Sequence, residues 1–253
     1  MNNLEYTKQY YSIWLDISSS ELEQKGVTLI KTGKRKICPD GYSRNLDIYC
    51  VSFQDSLFIS YNPDLDDTMD LGTCLKTMAD CNEAISKMNE LFGERLKHRR
   101  AHYFTQLPEN IDTSEVVMLK QQDYPYYEEL FTKQYPHNSP DGWMDEYFDE
   151  LVKDKLCYGI FKDGMLVSVT NSPTVPFLSD KITEPGIDTL ENYRCKGYAK
   201  AVCTVYIKHA ISDGKVPIWT CQNTNYASIK LAESLGFVKF GELYTVEGDV
   251  RHV

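Results

Sequence analysis

The feature that most constrains this chain is a β-type run that passes into the start of a helix at residues 187–200. A polar turn separates the run from the helix-favouring residues that follow it. The first amides of a helix have no partner within it, and the helix dipole adds about half a positive charge there. Gly197 lets a large anion approach the main chain, and Arg194 and Lys196 add two cations beside it. These residues predict a diphosphate site made mostly of main-chain N–H groups.

This junction is neither of the two common phosphate loops. The chain contains no G-x-x-x-x-G-K-[ST] sequence and no G-x-G-x-x-G sequence. An ordinary strand, turn and helix with a solvated basic start is the alternative on these residues alone. Arg194-x-x-Gly197-x-Ala199, however, resembles the R/Q-x-x-G-x-G/A signature of the GNAT superfamily of N-acetyltransferases. In that superfamily the signature holds the pyrophosphate of acetyl-coenzyme A.

A second segment strengthens the resemblance. Residues 225–237 resemble the N-x-x-[AS]-x-x-L-Y-x-x-x-G-F segment of the same superfamily, with Asn225, Ser228, Gly236 and Phe237 at its marked positions. Alone, Asn225 is equally well explained as a helix cap, and Gly236 as the left-handed residue after a helix. Together with the first signature, the segment extends the resemblance over about residues 115–246.

The resemblance implies an α+β fold, with a mixed, mostly antiparallel sheet flanked by helices. Two of its strands diverge, and pantetheine threads the gap between them. It implies acetyl-CoA as co-substrate, transferred to a primary amine of a small molecule by direct attack in a ternary complex. The residues that would bind coenzyme A are Thr189, Leu190, Arg194, Cys195, Lys196, Gly197, Tyr198, Ala199, Lys200, Asn225 and Ser228.

Two acidic residues are the predicted catalytic groups. An amine with a pKa near ~10.4 must lose a proton before it attacks a thioester, which costs roughly 4–5 kcal/mol at neutral pH. Glu184 and Asp188 lie four apart on a predicted strand over 183–190, so they share a face and are candidate bases. Either is equally an ordinary solvated strand residue. The superfamily often has a tyrosine as general acid where this chain has Ala232, with Tyr226 and Tyr244 nearby.

Because Ala232 replaces the superfamily's tyrosine, a second class of function remains open. The alternative to an enzyme is a non-catalytic acyl-CoA-binding module that acts in sensing or assembly. Both hypotheses predict binding of coenzyme A, and only the enzyme releases free thiol when amines are supplied.

Composition and charge disfavour nucleic acid, a membrane and a metal ion as partners. The 253 residues carry a formal net charge of −10, which disfavours nucleic acid and is compatible with a cationic small substrate. The chain shows no signal sequence and no apolar run long enough to span a membrane, so a cytoplasmic location is expected. Eight cysteines without C-x-x-C spacing and five scattered histidines predict reduced thiols and no metal site.

The remaining sequence predicts a separate N-terminal part. A polar segment over 106–114 that contains Pro108 divides a smaller α/β domain, residues 1–110, from the GNAT-like domain, residues 111–253. A hairpin is predicted over 47–61, and one long amphipathic helix over 71–96 that the basic residues 98–100 close. The role of residues 1–110 is left open between substrate binding, dimerisation and structural support.

Overall fold

The structure is a computed structural model that describes residues 2–78 and 80–248, arranged around two sheets. The helices are α1 (Asn3–Leu15), α2 (Asp64–Met69), α3 (Leu71–Lys76), α4 (Cys81–Phe92), α5 (Tyr124–Gln134), α6 (Met144–Lys153), α7 (Tyr198–Ser212) and α8 (Tyr226–Ser234). The strands are β1 (Gly26–Lys31), β2 (Leu46–Phe53), β3 (Ser56–Tyr61), β4 (Lys97–Phe104), β5 (Val117–Met118), β6 (Tyr158–Lys162), β7 (Met165–Asn171), β8 (Ile182–Thr183), β9 (Gly186–Thr189), β10 (Val216–Gln222) and β11 (Phe237–Glu247).

The larger sheet has seven strands in the order β1-β3-β2-β11-β4-β10-β8, and the smaller sheet has the order β5-β6-β7-β9. Only the pairs β1 with β3 and β8 with β10 are parallel among the described residues. The remaining pairs are antiparallel. This confirms the predicted fold class, a mixed and mostly antiparallel sheet flanked by helices.

Both halves of the chain contribute to the larger sheet. Strands β1 to β4 precede residue 110, and β4 lies between β10 and β11 from the other half. The predicted boundary falls in the irregular segment between β4 and β5. The division into domains of residues 1–110 and 111–253 therefore stays a prediction, with the added fact that one continuous sheet crosses it.

Helices cover both faces of the sheets. Helices α7 and α8 pack on Trp219 and Phe237, whereas α1 packs on the opposite face against Ala101, Ile218 and Phe240. Successive residues of a strand point to opposite faces, so β10 alternates between these two cores. The face under α1 is the one that carries the candidate catalytic carboxylate described below.

One prediction about the N-terminal half was wrong. The expected helix over 71–96 is two helices, α3 and α4, because Asp80 caps the start of α4 by accepting a hydrogen bond from the Glu83 amide at 2.9 Å. Its apolar stripe is nonetheless core, since Leu71, Leu75, Met88 and Phe92 are buried in one cluster. Residues 98–100 do not close a helix and belong to β4 instead.

The predicted strand over 183–190 is also interrupted. Ile182–Thr183 pairs with β10, and Gly186–Thr189 pairs with β7 in the other sheet. Pro185 lies at the break and has no N–H to donate to a ladder, so a continuous strand is disfavoured there. The chain changes sheets at this point, which opens a fork between β9 and β10.

Over residues 2–78 and 80–248, the structure contains no helix that is long and apolar enough to cross a membrane.

Candidate active site

The fork between β9 and β10 is the centre of the site. Strand β9 is an edge strand of the smaller sheet, and within residues 2–78 and 80–248 no strand pairs with the outer edge of β10 past Thr183. The Leu190 amide donates to the Val167 carbonyl of β7 at 3.0 Å. Because antiparallel strands alternate their polar groups from side to side, the main-chain groups of Ile187 and Thr189 point away from β7 and into the fork. Main-chain groups without a strand partner therefore line this gap, and of these the Thr189 carbonyl accepts from Arg194 Nε.

Glu184 lies where the two strands separate. Its Oε1 accepts a hydrogen bond from the Thr220 amide on the outer edge of β10 at 2.5 Å. Burial raises the pKa of Glu184 to about 7, against the opposing effects of the Arg99 charge and of the Thr220 hydrogen bond. A carboxyl group with this pKa is half ionised at neutral pH, which suits a general base.

Tyrosines from the N-terminal segment surround this carboxylate. Tyr10 and Tyr11 of α1 are 5% and 1% exposed. The Tyr11 hydroxyl lies 3.4 Å from Thr220 Oγ1. Burial raises the pKa of Tyr11 and of Tyr42, and the Glu184 charge raises both further. The carboxylate thus lies beside aromatic groups that stay neutral at physiological pH, an environment that suits an amine.

Asp188 has different neighbours. The Tyr135 hydroxyl at the end of α5 donates to Asp188 Oδ1 at 2.6 Å, and the Asn171 amide donates to Oδ2 at 3.2 Å. Burial raises the pKa of Asp188, while the Tyr135 hydrogen bond, the Arg194 charge and the Asn171 hydrogen bond oppose that shift. No hydrogen bond between Asp188 and Glu184 occurs in the described chain, so the structure gives the two predicted bases separate surroundings.

The predicted anion site at the start of α7 has the expected local conformation. Gly197 has φ +86°, and an added Cβ there would meet no atom within 4 Å. Residues 195–200 have no main-chain carbonyl partner for their N–H groups within residues 2–78 and 80–248. The first amide with such a partner is that of Ala201, which donates to the Gly197 carbonyl at 3.0 Å. Six successive free amides next to open space fit a diphosphate.

The cations beside this site have individual contacts. Arg194 Nε donates to the Thr189 carbonyl at 3.1 Å, which ties the turn to the end of β9. Lys196 Nζ lies 4.8 Å from the centre of the Tyr193 ring. Both side chains remain exposed, so their charges are available to a ligand.

A cavity of about 350 Å³ borders the same helix start. Its lining includes Lys196, Tyr198 and Lys200 and also the acidic residues Glu109, Asp112 and Glu115. Carboxylates repel phosphate, so this cavity is less basic than the sequence suggested. The diphosphate is therefore expected to bind the free amides of residues 195–200 and to lie away from the carboxylates of Glu109, Asp112 and Glu115.

Besides Arg194, three predicted cofactor residues have side-chain hydrogen bonds inside the protein. Asn225 Oδ1 caps α8 by accepting from the Ser228 amide at 3.1 Å, which is the capping role that the sequence left open. Ser228 Oγ accepts from the Trp219 indole at 3.0 Å. The Thr189 hydroxyl lies 2.8 Å from the Ser168 hydroxyl. Asn225 and Ser228 lie at the start of α8, next to β10.

Ala232, the position where the superfamily often has a tyrosine, is not accessible to a ligand. Ala232 is fully buried in the core beneath α7 and α8. Tyr226 is 69% exposed, and Tyr244 stacks on His98 at 4.4 Å between ring centres. Neither tyrosine makes a hydrogen bond to Glu184 or Asp188 in the described chain.

Sequence reasoning missed the residues that the N-terminal half brings to Glu184. Tyr10, Tyr11, Tyr42 and Arg99 carry no local motif, and Tyr11 and Thr220 are 209 positions apart in sequence. Only the pairing of β4 with β10 and the packing of α1 bring them together. The N-terminal half thus contributes residues around Glu184, and the role of residues 1–110 stays a prediction.

The two diverging strands, the carboxylate between them and the free amides at the following helix start are the arrangement that the sequence resemblance led us to expect. A model of the GNAT acetyltransferase family matches residues 51–246, well over half of the chain. The chain belongs to this family. The predicted family is thereby confirmed, and the match begins earlier than residue 115, where the sequence resemblance began.

Known proteins show the same relationship. An uncharacterized N-acetyltransferase of Bacillus subtilis (strain 168), YdfB, is 40% identical over 78 residues, which is 31% of this chain and 30% of that protein. A GNAT-family acetyltransferase from Colwellia psychrerythraea has a TM-score of 0.56 at 16% identity, over 81% of this chain and 82% of its own. A GCN5-related N-acetyltransferase from Sphaerobacter thermophilus has a TM-score of 0.53 at 13% identity, over 79% and 76%. The two structures show similarity of fold alone.

Proposed function

We propose that this protein is an acetyl-CoA-dependent N-acetyltransferase that acts on a primary amine of a small molecule. The observation that carries the proposal is Glu184, a partly ionised carboxylate held in the fork by the Thr220 amide. The free amides of residues 195–200 and the open space at Gly197 support binding of the diphosphate of coenzyme A. Bound acetyl-CoA supplies an activated acetyl group as a thioester.

The protein's residues divide the remaining work. The amides around Gly197 and the cations beside them fix the diphosphate, which aims the acyl end along the free edge of β9. Main-chain N–H groups that face the fork polarise the acyl carbonyl. Tyr10 and Tyr11 of α1 exclude water from the Glu184 carboxylate and keep its pKa near neutral.

Glu184 takes the proton that the amine loses, directly or through one water, as the C–N bond forms and the thioester C–S bond breaks. Deprotonating a lysine-like amine costs roughly 4–5 kcal/mol at neutral pH, so a base placed at this point lowers a large part of the barrier. Because Ala232 cannot donate a proton, the departing thiolate is protonated by solvent or by the hydroxyl of Ser228. Asp188 acts on the site through Tyr135 and Asn171 rather than as the base.

Two measurements on the full chain test this proposal together. Calorimetry measures binding of coenzyme A, and thiol release is followed with acetyl-CoA and a panel of polyamines, aminoglycosides, amino acids and lysine peptides. We expect binding together with amine-dependent thiol release that Glu184→Gln abolishes. Tight binding without turnover on any amine would favour a non-catalytic acyl-CoA-binding module, and absence of binding would contradict both.

A further inference from the structure

Arg99 is a cation without a partner among the described residues, and it lies beside the fork near Glu184, where the amine would bind. Arg99 lies on β4 and is half-buried, and its Nε is enclosed without a hydrogen-bond acceptor. Within residues 2–78 and 80–248, its guanidinium group makes no hydrogen bond and no ion pair. A guanidinium presents five donors, and enclosing a charged donor without an acceptor costs free energy. An anion from outside the chain would satisfy this group.

The strand register places Arg99 beside the candidate base. Arg99 lies directly opposite Gln222 on β10, and Ala101 lies opposite Thr220. Residues two apart on a strand share a face, so Arg99 lies on the α1 side together with Ala101 and Thr220. Diagonal neighbours of this kind are about 7–8 Å apart. Thr220 is the residue whose amide holds Glu184.

The surroundings leave the guanidinium available. Arg99 makes no ion pair within 4.0 Å with Glu184, although its charge is felt by Glu184, Tyr11 and Tyr42. A cation and a carboxylate thus lie near each other on one face without neutralising each other by contact. A cation and a carboxylate placed in this way match a ligand that carries one negative and one positive group.

We propose that the acceptor is a primary amine that also carries a carboxylate, and that Arg99 binds this carboxylate while the amine faces Glu184. The planar fork of a guanidinium matches the two oxygens of a carboxylate, which gives orientation as well as attraction. This inference rests on the proposed function and identifies the class of its acceptor. Arg99 is a specificity-determining residue in this scheme, and the transfer step is unchanged.

Matched substrates on the full chain test the inference directly. Each pair shares a side chain and differs in the carboxylate: lysine with 1,5-diaminopentane, phenylalanine with phenethylamine, and methionine with 3-(methylthio)propylamine. We expect the amino acid of at least one pair to have a kcat/KM at least about tenfold above that of its partner. Hydrogen bonds to charged groups correspond to roughly 10- to 100-fold in affinity.

Two arginines on the same strand provide the variant and its control. Arg99→Gln is expected to raise KM about 10- to 100-fold for the carboxylate-bearing amines and to leave their partners nearly unchanged. Arg100 points to the opposite face, where its Nε lies 3.5 Å from Glu242. Arg100→Gln is therefore expected to leave the preference between paired amines unaltered. Arg99→Lys should retain part of the preference, because the charge remains and the fork is lost.

The outcomes separate this inference from the function beneath it. Equal or better transfer to the carboxylate-free amines, or an equal rise in KM for both members in Arg99→Gln, overturns the carboxylate assignment and leaves the N-acetyltransferase intact. A preference for phosphoethanolamine over every amino acid assigns Arg99 to phosphate and also overturns it. Bound coenzyme A without transfer to any amine overturns the proposed function itself. The wild-type comparison decides the matter even where a variant fails to fold.

Discussion

Glu184 Oε1 and the amide nitrogen of Thr220 are 2.5 Å apart, and this hydrogen bond bridges the point where β9 and β10 separate. The bond satisfies an edge N–H of β10 that no strand of the described residues pairs. It also fixes the carboxylate in the fork, where burial raises its pKa to about 7. One contact therefore joins the architecture of the fork to the proposed chemistry.

Activity should rise with pH through about 7 and then level off, because only ionised Glu184 accepts a proton from the amine. Glu184→Gln keeps an oxygen for the Thr220 amide and removes the base, so kcat should fall roughly 10²- to 10⁴-fold. Initial rates of thiol release between pH 5.5 and 9 measure both effects. Glu150→Gln, an exposed carboxylate of α6, is the matched control and should reproduce the wild-type profile. A wild-type rate independent of pH in this range would contradict the role of Glu184.

The same substitution should stabilise the protein at high pH. The pKa of Glu184 is about 7 in the folded chain and near its ordinary value of 4.5 in the unfolded chain. Between these values the folded state binds more protons, so stability falls as the pH rises from about 4.5 to 7. Glu184→Gln removes this dependence. Its free energy of unfolding should match wild type at about pH 4, below the unfolded pKa, and exceed it by on the order of 1–3 kcal/mol at pH 8.

Urea unfolding at the two pH values measures this difference. Glu150→Gln again serves as the control, since an exposed carboxyl group gains nothing from neutralisation. A Glu184→Gln protein that is less stable than wild type at pH 8 would show that the carboxylate stabilises the fold. The burial argument for its raised pKa would then be wrong.

Asp188 should behave differently from Glu184. Its two oxygens accept from Tyr135 and Asn171, and Asp188→Asn keeps one acceptor oxygen and loses the negative charge, so both charge-assisted hydrogen bonds are lost and at most neutral ones replace them. We expect a loss of about 1–3 kcal/mol in the free energy of unfolding, with a fall in kcat below tenfold. Chemical unfolding and initial rates measure the two effects on one preparation. A loss of activity as large as that of Glu184→Gln would reassign the base to Asp188.

The parts of the site that sequence predicted are those set by local chemistry. The turn at Gly197 and the cap at Asn225 each depend on residues within one helical turn, and both adopt the expected geometry. The hairpin predicted over 47–61 is local in the same sense, and antiparallel β2 and β3 form it. Short-range signals of this kind are written in consecutive residues, so a single sequence reveals them.

The parts that sequence missed depend on distant contacts or on a competing signal. Arg99 was interpreted as the basic end of a helix, whereas pairing of β4 with β10 and β11 overrides that local preference. The break of the strand over 183–190 had a visible cause in Pro185, which cannot donate to a ladder. No sequence signal indicates the role of the tyrosines of α1, because that role follows only from the packing of α1 over β10.

The open space at Gly197 should be needed for binding of coenzyme A. Gly197→Ala introduces a Cβ at φ +86°, which costs about 1–2 kcal/mol in backbone strain and puts a methyl group beside the free amides. Gly214, just after the other end of α7, has φ +74° and equally free surroundings. Gly214→Ala therefore carries a similar strain far from the amides. Both variants should lose similar stability in thermal unfolding, while calorimetry should show coenzyme A binding at least about tenfold weaker in Gly197→Ala alone. Equal affinities in the two variants would mean that the diphosphate does not approach this helix start.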